Sequence, residues 1–165
     1  MIDGVRTASE LLASLKPKIA ALSPGRFFGA ALVGDDPASV SFLKQKRRAA
    51  EELGVEFRLY RLPADISTDD LRREIRRLAS PKTCRGFTVQ LPLPAHLQNV
   101  HYILNGIPAA KDVDLLSESA LGSFYTGRSP ILPPSVSVVR EILDARDGDL
   151  RQMSVAVLGA GFLVG

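Results

Sequence analysis

The chain has 165 residues, 45% hydrophobic and 24% charged, with 21 Lys+Arg against 18 Asp+Glu and a formal net charge of +3. That composition belongs to a soluble globular protein, and the length holds one full domain of roughly 100–150 residues plus a remnant of a second. A single cysteine, Cys84, excludes an intramolecular disulfide framework and a Cys-rich zinc site and fits a reducing compartment, so the cytoplasm is the expected location.

The opening Met1-Ile2-Asp3-Gly4-Val5-Arg6 lacks the apolar run of a secretory signal, and no stretch approaches the ~20 apolar residues of a membrane span, so no membrane partner is expected. Along the chain, apolar β-type runs alternate with helical patterns, the signature of βαβ units around a mainly parallel sheet. A helix over 5–22 leads into a strand over Phe27–Val33, then a helix over 38–53 and a strand over Val55–Leu62. A third helix covers 68–79, with Ser67 and Asp70 as a capping pair, Leu71, Ile75 and Leu78 as its buried stripe and Arg72, Arg73, Arg76 and Arg77 on the opposite face. Those arginines read as a solvated face among acids, so no nucleic-acid partner is expected.

A strand over Gly86–Leu91 and a helix over 95–104 follow, the latter taking both His96 and His101 and leaving no metal site. From Gly106 to Ser135 the period is lost, and the segment reads as a long ordered connection into a helix over 135–145. After Asp147-Gly148-Asp149 comes a strand over Ser154–Leu158 that runs into Gly159, Gly161 and Gly165. Glycines so placed let backbone N–H groups approach a pyrophosphate at a helix start, although a tight strand-to-helix turn has the same pattern. The helix that would receive the phosphate is missing from the pattern, so the chain is expected to be a fragment, or a domain without its nucleotide-binding half.

Three segments concentrate polar chemistry. On a wheel of about 100° per residue, Phe42, Leu43, Ala49, Ala50 and Leu53 share one arc, with Ser39 and Lys46 in its middle and Lys44, Arg48, Glu51 and Glu52 opposite. Desolvation destabilises an ammonium, which suits a lysine to exchange protons; a lysine snorkelling from the stripe's edge is the alternative. In Thr88-Val89-Gln90-Leu91-Pro92-Leu93-Pro94 two prolines end the strand, leaving Gln90 at the carboxyl edge where ligands of open α/β sheets sit, or as a simple polar cap. In Lys111-Asp112-Val113-Asp114-Leu115 the two aspartates fall on one side if the segment is extended and could hold ligand N–H groups; a surface turn is the alternative.

Together and in order, these segments resemble the methylenetetrahydrofolate dehydrogenase/cyclohydrolase family, the FolD-type enzymes. The likeness runs through Ile2-Asp3-Gly4, Val33-Gly34-Asp35-Asp36-Pro37-Ala38-Ser39, Lys46, Glu52-Leu53-Gly54-Val55, Gln90-Leu91-Pro92-Leu93-Pro94 and Lys111-Asp112-Val113-Asp114. It implies a three-layer α/β catalytic domain over 1–135, a connecting helix and linker over 136–150, and over 151–165 the first strand and glycine turn of a Rossmann domain. It further implies Lys46 as catalytic lysine, Gln90 as its hydrogen-bonding partner and Asp114 as the anchor of the pterin ring. Ser39, Phe42, Leu91, Pro92 and Pro94 would complete the folate site, and Gly159, Gly161 and Gly165 would bind NADP. NAD is admissible, because Ala160 and Gly161 stand where the family tends to have Arg and Ser.

The implied activity is oxidation of 5,10-methylenetetrahydrofolate with NADP, followed by hydrolysis of the methenyl product to 10-formyltetrahydrofolate, in a homodimer. Phe42 stands for the family's tyrosine, Leu115 for a glycine, Ala120 for an asparagine, and Pro133-Pro134-Ser135-Val136 for Pro-Cys-Thr-Pro. Those departures motivate a rival reading, a catalytically impaired folate-binding or subunit-interaction module. A third reading, an enzyme related to the amino-acid dehydrogenases, is opposed by the Gln90–Pro94 run.

Overall fold

The structure, a computed structural model, describes residues 3–22, 24–145, 150–152, 154 and 156–159. Asp3 accepts the backbone N–H groups of Val5 and Arg6, both at 3.1 Å, and so starts helix α1 (Gly4–Ala20), which lies against helix α2 (Pro37–Glu52). Strands β1 (Phe27–Val33), β2 (Glu56–Leu62) and β3 (Cys84–Val89) form a parallel sheet in the order β2-β1-β3. The central strand, Phe-Phe-Gly-Ala-Ala-Leu-Val, is apolar at every position because helices cover both its faces.

Side-chain alternation divides the core. Phe27, Ala31, Val33, Phe87 and Val89 point to helices α3 (Thr68–Ala79) and α4 (Val100–Leu104), packing against Leu71, Ile75, Leu78 and Ile103. Ala30 and Leu32 point the other way, to Leu43 and Val40 of α2, with Phe57 and Leu59 beside them. Right-handed crossovers demand this arrangement: the chain steps from β1 to β2 over one face, then back past β1 to β3 over the other. The reversal opens a crevice at the carboxyl ends of β1 and β3, where a ligand of such a sheet is received.

The predicted third helix is present as drawn, with Leu71 and Ile75 buried, Ser67 capping Asp70, and Asp70 and Glu74 bonded to Arg73 and Arg77. Other boundaries move. The predicted strand over Gly86–Leu91 lies at Cys84–Val89, since at Gln90 the chain turns away after its N–H bonds the Ala31 carbonyl at 2.9 Å, and the Leu91–Pro92 peptide is cis. The predicted helix over 95–104 shrinks to α4, because Asn99 takes φ 57° and caps Tyr102; His96 therefore lies outside the helix. The supposed long connection contains helix α5 (Glu118–Tyr125), capped by Ser117, and helix α6 spans Pro134–Asp144. Of the strand expected over Ser154–Leu158, the described residues 154 and 156–158 lie in no strand and Val157 and Leu158 are exposed; a parallel strand exists only beside a hydrogen-bonding neighbour.

Gly86 brings the segment after α4 against the sheet. A Cβ there would sit 2.6 Å from Val113 Cγ1. Gly86→Ala is therefore expected to cost about 1–3 kcal/mol by overpacking, and Val113→Ala in the same chain should recover part of that loss in a urea double-mutant cycle. Strictly additive losses would show that this contact is not the cause.

Candidate functional site

Helix α2 positions the first group of side chains. Gly34, at φ 73°, turns the chain out of β1, and the Asp36 carboxylate accepts the Ser39 N–H at 2.8 Å with Pro37 in the first turn. That bond holds the Asp36 carboxyl below the usual carboxylate range. Ser39, Leu43 and Ala50 face the sheet, and the Ser39 hydroxyl is buried without a hydrogen-bond partner among the described residues. Phe42 departs from the wheel reading, for the residue is 50% exposed at the rim of the apolar arc. The Lys46 ammonium lies 5.3 Å from the centre of that ring.

Lys46 is neither isolated nor snorkelling into water. Its Nζ donates to Asp114 Oδ2 at 2.8 Å, with both side chains 22% exposed. The Thr88 hydroxyl, from β3, donates to the same oxygen. The resemblance led us to expect a Lys46–Gln90 hydrogen bond, but the Gln90 amide donates instead to the Leu91 carbonyl at 2.7 Å. An ammonium bonds an ionised carboxylate more strongly than a neutral amide, which accounts for the preference.

The paired aspartates have separate tasks. Asp112 forms a parallel bridge with Phe87, as an extended segment should, but it is buried and accepts the N–H groups of Leu116 at 3.0 Å and Ser117 at 2.7 Å. It is a structural carboxylate that shapes the approach to α5, and Asp114 alone reaches the crevice side. Leu115 follows at φ 53°, yet its side chain packs inward with Ala120, Leu121 and Phe124. Sequence reasoning missed Lys111, whose ammonium donates to the carbonyls of Ala79, Ser80 and Pro81 at 2.5, 3.0 and 2.8 Å. It thereby closes the carboxyl end of α3 and tethers the segment that presents Asp114.

A hollow of about 410 Å³ adjoins the ion pair, lined by Lys46, Asp114, Phe28, Ala49, Val113 and Pro134 among others. Ser39, Phe42, Gln90, Leu91, Pro92 and Pro94 are not in its wall. Leu91 packs on the α3 side of the sheet and Pro92 is exposed. A larger groove of about 920 Å³ adjoins this hollow, sharing Phe28, Leu53, Val55 and Val113 with it, and contains none of the expected site residues. Cys84 is no nucleophile candidate, since it is buried and burial pushes its thiol up. Among the described residues no group of three or more His, Cys, Asp or Glu side chains is placed to hold a metal, and no helix is long and apolar enough to cross a membrane. Gly159 has φ 107° with open space where a Cβ would be, while Gly161 and Gly165 lie outside the described residues.

With this geometry in hand, the chain can be set beside known proteins. Residues 2–114 match the model of the tetrahydrofolate dehydrogenase/cyclohydrolase catalytic domain. The bifunctional methylenetetrahydrofolate dehydrogenase/cyclohydrolase FolD of Campylobacter jejuni superposes with a TM-score of 0.79 at 31% identity, over 87% of this chain and 52% of that one. The Trypanosoma brucei methylenetetrahydrofolate dehydrogenase-cyclohydrolase, solved with NADP and an inhibitor, gives 0.78 at 32% identity over 87% and 50%. A 5,10-methylenetetrahydrofolate dehydrogenase of the silkworm Bombyx mori gives 0.79 at 28% identity over 86% and 50%. The fold and the family match thus define an α/β domain of the tetrahydrofolate dehydrogenase/cyclohydrolase catalytic type. The chain belongs to the tetrahydrofolate dehydrogenase/cyclohydrolase family and spans about half the length of these solved relatives.

Two outcomes follow from the anchors of the site. Lys111→Met should lower stability by about 1–3 kcal/mol in urea unfolding, the cost of leaving charge-bonded carbonyls unsatisfied; an unchanged midpoint would remove Lys111 from the scaffold. Because the Asp36 carboxyl is lowered in the folded chain, its capping contribution is complete above about pH 4 and is lost as pH falls through the lowered value. Asp36→Asn caps without titrating, so its stability should decline less over that acid range when followed by circular dichroism.

Proposed function

We propose that this chain binds a reduced folate beside the Lys46–Asp114 pair and hydrolyses 5,10-methenyltetrahydrofolate to 10-formyltetrahydrofolate. On the same reading, the whole protein also oxidises 5,10-methylenetetrahydrofolate with NADP, as a cytoplasmic homodimer. The observation that carries this reading is the 2.8 Å bond between Lys46 and Asp114, which joins the middle of α2 to a segment 68 residues away. Such a pair supplies both a carboxylate for ring N–H groups and a cationic proton carrier within one hollow.

The steps can be assigned to these residues. Asp114 accepts the amino and ring N–H groups of the pterin, a bidentate contact that displaces the ammonium from the carboxylate. Phe42, an exposed aromatic residue, offers a flat apolar face for the ring system, without the hydroxyl of a tyrosine. Lys46, released beside the bridge carbon, relays protons: water adds to the methenyl carbon and loses one proton, then the hydroxyl of the adduct gives up its proton while N5 gains one and the bond from that carbon to N5 breaks, leaving the formyl group on N10. Gln90, after β3, is available to hydrogen-bond the reacting centre once its amide leaves the Leu91 carbonyl.

For the oxidative step, bound NADP would supply a hydride acceptor for the methylene bridge. Residues 1–135 would form the folate domain, 136–150 the connection, and 151–165 the start of the domain that holds NADP through Gly159, Gly161 and Gly165. The positive φ of Gly159 and the open space at its Cβ position support a glycine turn there.

The deciding experiment is the hydrolysis of 5,10-methenyltetrahydrofolate by this chain, measured against buffer and against Lys46→Met. A rate above buffer in the parent chain that falls by at least about a hundredfold in the folded variant is expected, the range of a general acid–base contribution. Folate binding without any Lys46-dependent rate would instead make the chain a binding module.

A further inference from the structure

Resting on the folate reading, we propose that Thr88 is the positioning residue of this site, fixing the Asp114 carboxylate so that it can take the folate ring when Lys46 leaves it. Thr88 is 0% exposed on β3, on the face that looks toward α2. A hydroxyl in so dry a place needs a partner, and its partner is Asp114 Oδ2. Lys46 donates to the same oxygen, so both of these donors fall on Oδ2.

Ligand exchange follows from that crowding. Each carboxylate oxygen accepts about two hydrogen bonds. Two parallel N–H groups of a ring need both oxygens of Asp114, and Oδ2 is already doubly engaged. Lys46 sits on a flexible four-carbon stem and can move away, whereas the Thr88 hydroxyl is one bond from Cβ on a strand paired with β1. When the ring binds, Thr88 therefore stays on Oδ2, holds the plane of the carboxylate, and leaves Lys46 free for the reacting carbon. Lys111 and Asp112 fix the backbone of this segment; Thr88 fixes the side chain.

Thr88→Val removes the hydroxyl with little change of shape, and Thr88→Ser retains it. In Thr88→Val the Kd for tetrahydrofolate by calorimetry, and KM for 5,10-methenyltetrahydrofolate, should rise about tenfold, the worth of one hydrogen bond to a charged group, while kcat changes much less because Lys46 is intact. Thr88→Ser should restore Kd to near the parent value. A purely structural threonine would lower the melting temperature and the active fraction without moving the Kd of the folded molecules, and an unchanged Kd in Thr88→Val overturns the proposal. If valine prevents folding, Thr88→Ala provides the same comparison. A parent chain that binds no tetrahydrofolate sinks the folate reading and this assignment with it, whereas tight binding by parent and valine variant alike sinks only the role of Thr88.

Discussion

The ion pair between Lys46 and Asp114 is the contact around which the site is organised. It joins the helix on one face of the sheet to the segment running beside β3, and each partner is 22% exposed. A pair this far desolvated contributes little to global stability, since the lost hydration of the two charges offsets much of their attraction. Its consequence is local. Either charge alone, partly stripped of water, would seek another partner, so the two hold each other in place until a ligand competes for the carboxylate.

The supports of that pair come from unrelated parts of the chain. The Asp36 cap fixes where α2 begins, and hence the rotation that turns Ser39 and Leu43 inward while Phe42 stays at the rim. Gly86 lets Val113 close on the sheet, Lys111 ties the same segment to the end of α3, and Asp112 bends it toward α5. The β2-β1-β3 order supplies the crevice, because only where the order of the parallel strands reverses do the connecting helices diverge to opposite faces.

Much of this was legible in the residues. Periodicity located α2 and α3, because each buries one face against the sheet, and a continuous apolar run located β1, because both its faces are covered. Lys46 stood out because a cation inside an apolar arc contradicts its surroundings. What was not legible depended on distant partners. The division of labour between Asp112 and Asp114 requires the turn at Leu115, the Gln90 amide finds its own neighbour's carbonyl, and Thr88 is an ordinary β-branched strand residue until Asp114 is brought to it. Helix α5 escaped because its eight residues include two serines and a glycine, and its stability comes from Ser117 and the Leu115 cluster rather than from amphipathic repetition.

Leu115 places a packing constraint on the molecule. Its left-handed backbone costs about 1–2 kcal/mol in a residue with a side chain, and burying that side chain against Leu121 and Phe124 returns roughly 1.5–3 kcal/mol. The two nearly cancel, so leucine and glycine are close to interchangeable here in net stability, but not in their dependence on neighbours. A glycine leaves a cavity that only larger residues beneath α5 can fill, and a leucine needs the space that smaller ones leave. The effect of substitution at this position is therefore coupled to the packing of α5, and the same exchange at residue 115 changes in cost with the size of the side chains at Ala120, Leu121 and Phe124.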